Sequence, residues 1–221
     1  MLRYRDERIR YYKFEENAGQ AKARNYGIEL AEYDYIAFED SDDIWHPEKL
    51  EVQMEAMSSA SPEVGFAYHK IRYERDDGQV MVFSPESMAF EKKSGNIFAQ
   101  LMYANLVPCP SIIAKKSCIA EVGGFDETMD TLEDYDLVLK MARNHQALFL
   151  DRILLEAACS AGGVSASPAH FLVASCRLLQ KYRQDYLDTN TLNHRIENIL
   201  KNAEQIGERE RFIRLIELSL R

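Results

Sequence analysis

The chain has no long hydrophobic run, no metal-type cysteine spacing, no surplus of positive charge and no repeats, and each absence excludes a class of protein. None of its apolar stretches reaches the roughly 18 residues of a membrane-spanning helix. Its opening, Met1-Leu2-Arg3-Tyr4-Arg5-Asp6, lacks the apolar stretch of a secretory signal. The expectation is a cytoplasmic protein without a transmembrane segment, peripheral at most to the inner face of a membrane. Arg209, Arg211 and Arg214 offer only a weak basic face for such contact. Cys109, Cys118, Cys159 and Cys176 form no Cys-x-x-Cys pair and have no histidine at zinc-ligand spacing, so they are read as reduced, mostly buried thiols without chemistry. A net charge of −9 opposes nucleic-acid binding, which needs a basic face to displace counterions from phosphates. An acidic protein can still meet a diphosphate through a metal ion. What remains is a 221-residue chain with 46% apolar residues, enough to bury a substantial core in one or two domains.

The most informative stretch is Phe38-Glu39-Asp40-Ser41-Asp42-Asp43-Ile44-Trp45-His46-Pro47. Before it, Tyr35-Ile36-Ala37-Phe38 is apolar and rich in β formers, as a strand covered on both faces would be. After it, Pro47 suits the first position of a helix whose apolar stripe would be Leu50, Met54 and Met57. Ligands of open α/β sheets sit beyond the carboxyl ends of strands, so Asp40 and Asp42 would overhang that crevice. At a spacing of two they can share one hard divalent cation and leave coordination positions for phosphate oxygens. The alternative reading is an acidic loop that caps a helix.

Along the rest of the chain, Arg8 to Phe14 is read as a strand, Gln20 to Ala31 as a helix, and Arg75-Asp76-Asp77-Gly78 as a hairpin turn into Gln79–Phe83. Arg24 and Asn25 fall on the inward stripe of the first helix. A guanidinium there needs an anionic partner, either an internal acid or a ligand. Thr131-Leu132-Glu133-Asp134-Tyr135-Asp136 opens a later helix with Glu133 and Asp134 in its first turn, where the helix dipole favours ionised carboxylates. An ionised Asp near a hydroxyl can act as general base, whereas capping alone would give the same pattern. From Pro168 onward, two or three amphipathic helices form an appendage.

Asn17-Ala18-Gly19 with Ala23-Arg24-Asn25-Tyr26-Gly27, then Asp40-Ser41-Asp42-Asp43, then Gly123-Gly124-Phe125-Asp126-Glu127, then Glu133-Asp134-Tyr135-Asp136-Leu137, in this order, resemble family 2 glycosyltransferases of the GT-A fold. The resemblance implies an α/β sheet flanked by helices over residues 1–160, with residues 161–221 as the helical region. It implies inverting transfer of a sugar from a nucleoside diphosphate to a hydroxyl of a carbohydrate or lipid-linked acceptor, as in cell envelope polysaccharide biosynthesis. Mn²⁺ or Mg²⁺ would sit on Asp42 and Asp40, the nucleotide beside Arg24, Asp40 and Asp42, and the acceptor in a pocket of Gly124, Phe125 and Trp45. Asp134 would be the catalytic base with Glu133 beside it. The family's two opening strands, ending near Pro-Thr-Tyr-Asn and in Asp-Asp-Gly-Ser, have no counterpart here, and Cys159-Ser160-Ala161-Gly162-Gly163-Val164-Ser165 stands where a product-side histidine is usual. From that gap follow three expectations: a weak donor site, a rearranged sheet or a homodimer over open strand edges, and a non-catalytic interaction module as the rival function. A metal-dependent nucleotidyl or phosphoryl transferase is the other rival, since an Asp-x-Asp pair does not name the transferred group.

Overall fold

The computed structural model describes residues 6–75, 77–85, 90, 92–159 and 167–220. In chain order the elements are α1 (Gln20–Leu30), β1 (Tyr35–Ala37), β2 (Asp43–Trp45), α2 (Lys49–Ser59), β3 (Val64–Arg75), β4 (Val80–Phe83), α3 (Phe98–Tyr103), β5 (Ile113–Lys115), α4 (Lys116–Glu121), α5 (Glu133–Asn144), β6 (Gln146–Cys159), and then α6 (Pro168–Lys181), α7 (Arg183–Asp188), α8 (Leu192–Gln205) and α9 (Arg209–Ser219). One mixed sheet runs β1-β5-β3-β6-β2, with β4 hairpinned onto β3. The long strands β3 and β6 are parallel, and every other pairing is antiparallel.

The shape of this sheet follows from a length argument. β1 and β2 lie at opposite ends of the strand order yet are joined by only residues 38–42. Through the pairings Ala37↔Ile113↔Ala67 and Asp43↔Ala157↔Tyr73, the joined residues are also offset by six positions along β3. On a flat sheet they would be about 19 Å apart sideways and about 20 Å lengthwise, so about 27 Å apart. Six residue steps reach only about 20 Å at full stretch. The sheet must therefore curl, and the register shifts in β3 at Val64/Phe66, His69/Lys70 and Lys70/Arg72 are where it does so. The acidic loop is stretched across the mouth of that curl.

The main core joins the sheet to the helices. Phe66, Tyr68, Leu101, Tyr135, Leu139, Leu178, Tyr186, Ile199 and Phe212 belong to one apolar cluster, so the helices after residue 167 complete the core that α5 begins. A smaller cluster of Met57, Val64, Ala67 and Ile113 lies under α2.

Two local expectations fail. Residues 9–14 form no strand; Ile9, Tyr11 and Tyr12 are exposed, and Tyr12 and Phe14 pack instead on Tyr26 of α1 at 5.7 and 5.4 Å. An aromatic, β-branched run is a strand only where a neighbour completes its hydrogen-bond ladder, and β1 pairs with β5 alone. In α2 the buried face is Lys49, Gln53 and Met57, while Leu50 and Met54 are exposed, and the helix begins at Lys49 rather than Pro47. Residues 43–45 are spent on β2, which shifts the start of the helix and turns a different stripe inward. The segment 160–165, assigned to the product side, lies outside the described residues.

Candidate active site

Arg24 organises the site. It stands in the second turn of α1, its side chain 17% exposed, and its two terminal nitrogens reach different elements. Nη2 donates to Asp40 Oδ1 at 2.7 Å and Nη1 to Glu133 Oε1 at 2.6 Å. The partner is thus internal, but it is a pair of candidate site acids, separated from Arg24 by 16 and 109 positions in sequence. The guanidinium also lies over the Phe125 ring at 5.5 Å, and Phe125 meets Phe38 edge to face at 5.4 Å. The strand-end acids, the Gly-Gly-Phe turn and the α5 acids are thereby gathered around one cation.

Asn25, the next residue, fastens the turn. Its Oδ1 accepts from the Phe125 N–H at 2.8 Å, and its Nδ2 donates to the Phe125 carbonyl at 3.0 Å. Gly124 is required beneath it: its φ is +69°, and a Cβ there would stand 2.6 Å from Asn25 Oδ1. Lys140 of α5 donates to the Gly124 carbonyl from the other side. Sequence reasoning put Asn25 on the inward stripe but gave it no task; the signal was its adjacency to Arg24.

The entry to α5 is strained. Leu132 adopts a left-handed conformation, φ 61° and ψ 16°, immediately before Glu133 and Asp134. For a non-glycine residue this costs on the order of 1 kcal/mol and tends to persist where surroundings impose it, often at functional sites. Glu133 is buried, and burial, then the charge of Asp134, raise its pKa while Arg24 holds it down. Asp134 is half-buried and accepts from the Tyr135 N–H at 2.7 Å and from the Cys109 N–H. Desolvation nevertheless raises its pKa from the usual aspartate value. Cys109 therefore takes part through its backbone, held by the Pro108–Ser111 turn, while its buried thiol stays protonated.

In the acidic loop, Asp42 is exposed and the Asp40 side chain is 40% exposed. Asp43 is pushed up to about 7 by burial and by the charges of Asp40, Asp42 and Glu39. Hard oxygen donors crowded together in this way suit a divalent cation. Among the described residues no three His, Cys, Asp or Glu side chains are arranged to hold a metal ion.

Trp45 is not brought to this cluster. It sits on β2 opposite Leu155, packs on Ile71, Leu155 and Ala157, and carries Lys49 Nζ 4.4 Å above its ring. Lys49 itself is fully buried, hydrogen-bonded to Gln53 at 2.7 Å, and lowered to about 8 by burial against the pull of Glu39. A lysine two positions after a proline carries no sequence signal for such burial.

The model of the family described as "Glycosyl transferase family 2" matches residues 1–110. The chain belongs to glycosyl transferase family 2. The match spans Arg24, Asp40, Asp42 and Trp45 and ends before α5. An uncharacterized glycosyltransferase of Haemophilus influenzae is 30% identical over 132 residues, 58% of this chain and 42% of that protein. The putative teichuronic acid biosynthesis glycosyltransferase TuaG of Bacillus subtilis is 39% identical over 89 residues, 39% of this chain and 34% of that one. The chain thus spans less than half the length of these relatives. The solved mannosyltransferase PcManGT from Pyrobaculum calidifontis, in complex with GDP-Man and Mn²⁺, superimposes with a TM-score of 0.56 at 16% identity, over 87% of this chain and 56% of that one. The fold is of the GT-A type.

Proposed function

We propose that this family 2 chain carries the site for transferring a sugar, with inversion, from a nucleoside diphosphate donor to a hydroxyl of a carbohydrate or lipid-linked acceptor. The observation that carries this reading is the two-armed Arg24, which ties Asp40 at the strand end to Glu133 at the start of α5. Asp40 and Asp42 would hold a divalent ion, Mn²⁺ or Mg²⁺, and that ion would neutralise the leaving diphosphate. Arg24 then borders both the nucleotide side and the acceptor side. Asp134 takes the proton of the attacking hydroxyl: it is next to Arg24's cluster, fixed by two backbone N–H groups, and more basic than an ordinary carboxylate. Glu133 is committed to Arg24 and positions it. Gly124 and Phe125, pinned by Asn25, would wall the acceptor. The name of TuaG supports an envelope polysaccharide as the product class, and the Mn²⁺ in the PcManGT complex supports a divalent ion.

The test combines binding and turnover. Mn²⁺ with a nucleoside diphosphate at a hundredfold excess over its dissociation constant raises stability by about 2.7 kcal/mol, read as a melting shift. Asp42→Asn loses most of that shift; equal shifts in both proteins would remove the metal assignment. Asp134→Asn keeps the shift and lowers sugar transfer by about 10² or more. Unchanged turnover would leave Asp134 as a helix cap.

A further inference from the structure

The turn that carries Gly124 and Phe125 is also held from α6, in the helical region after residue 167. Lys181 Nζ donates to Asp126 Oδ2 at 2.9 Å and stands 2.7 Å from Asp136 Oδ1. Arg177, one helical turn earlier on the same face of α6, donates from Nη1 to the Thr128 carbonyl at 2.7 Å. α5 completes the circuit. The Asp136 carboxyl is fully buried; its Oδ1 also accepts from the Tyr182 hydroxyl at 2.8 Å, and its Oδ2 lies 3.2 Å from Lys140 Nζ. Lys140 in turn donates to the Gly124 carbonyl. The contacts run from Gly124 through Lys140, Asp136 and Lys181 to Asp126, and the chain between Gly124 and Asp126 closes the ring.

Asp136 is the last acid of Glu133-Asp134-Tyr135-Asp136, and sugar transfer as read above gives it no task. A carboxylate taken out of water needs a counter-charge, and two ammonium groups supply it here. A lysine that only docked α6 onto α5 would end at Asp136. Lys181 spans to the turn as well. The turn has little of its own to fix it: Gly123 and Gly124 both sit at positive φ, where glycine backbone is permissive, and Glu127 and Thr128 are exposed. Its place is therefore set by the elements that grip it. Asn25 of α1 holds the Phe125 backbone, while Lys181 and Arg177 hold Asp126 and Thr128. Between these grips lies the Phe125 ring, 5.5 Å from the Arg24 guanidinium.

We propose that Lys181 is a positioning residue of the acceptor wall: by binding Asp126 and Asp136 together it fixes the Gly124–Phe125 turn against α5, so that α6 belongs to the site. This assignment rests on Gly124 and Phe125 walling the acceptor. The test pairs Lys181→Met with Asp126→Asn, which keeps the Oδ1 that accepts from Thr128, loses the charge facing Lys181 and leaves Asp136 paired. In hydrogen–deuterium exchange read by mass spectrometry, both variants exchange the amides of residues 124–129 about threefold to tenfold faster than wild type. The amides of α6 to α9 stay as protected as in wild type, and Lys181→Arg, which keeps a cation, recovers most of the protection of the turn. Faster exchange spread evenly through α6 to α9, or an unchanged turn in Asp126→Asn, overturns the proposal and leaves Lys181 as a tie between helices. In transfer assays with p-nitrophenyl glycosides as acceptors, Asp126→Asn raises the acceptor KM about threefold to tenfold and leaves the donor KM unchanged. An equal rise in both, or in neither, overturns the role at the acceptor wall. Should wild type transfer no sugar, the transferase reading falls, and the exchange comparison alone decides whether Lys181 positions the turn.

Discussion

Arg24 and Arg195 are both largely buried arginines on amphipathic helices, yet the first has two carboxylates and the second has none among the described residues. Both guanidiniums leave water on folding, so the difference lies in what the rest of the fold brings to them. Around Arg24 three elements converge at the mouth of the curled sheet, each delivering an acid or an aromatic ring. Around Arg195 stand the Tyr135 ring and, within electrostatic reach, Tyr186 and the Cys176 thiol. The lesson is that the inward position of a charge can be read from helical periodicity, whereas its compensation is a property of distant segments.

The largest expected effect tests that contrast directly. Arg24→Met removes the counter-charge of buried Glu133 and should destabilise the chain by about 3–5 kcal/mol in urea unfolding. Arg195→Met, which replaces a buried guanidinium with two unpartnered nitrogens by an apolar side chain, should be nearly neutral. If the two substitutions destabilise alike, Arg24 is only another packed side chain and the comparison fails.

A smaller effect comes from a buried group that, unlike arginine, can shed its charge. His69 is 1% exposed, its Nε2 has no partner, and burial, with help from Lys49 and His46, lowers its pKa from 6.5 to about 4. The unfolded chain therefore binds a proton below about 6.5 that the folded chain refuses until about 4. The stability this neutral histidine permits is full above that window and is lost as pH falls through it, by roughly 2–3 kcal/mol. His69→Gln should flatten this part of the stability profile in denaturant titrations run between those limits. An unchanged slope would mean that other groups govern acid unfolding.

The smallest effect sharpens the view of Asn25 as the clamp on the turn. Gly124→Ala should cost about 1–3 kcal/mol, from a left-handed backbone and from the close approach to Asn25. Combining it with Asn25→Ala removes the clash but not the backbone strain, so the two changes should be less than additive in melting experiments. Additivity would separate Asn25 from the turn.

Much of this protein was legible in order along the chain, because the signals are local. The acid pair after an apolar run, the two glycines before Phe125, the acids in the first turn of α5 and the hairpin after β3 each depend on residues within a few positions. Together they suffice for the family and for the list of candidate acids. Tertiary structure alone decided which of them meet. Arg24 finds Glu133 across 109 positions, the Cys109 backbone reaches Asp134, and Trp45 turns toward Lys49 instead of the acid cluster. It also overruled two local patterns: residues 9–14 lack a ladder neighbour, and α2 buries Lys49 and Gln53 rather than Leu50 and Met54. The reason is the same in each case. Periodicity and turn chemistry are short-range, but burial and charge compensation depend on which surfaces a curled sheet brings together.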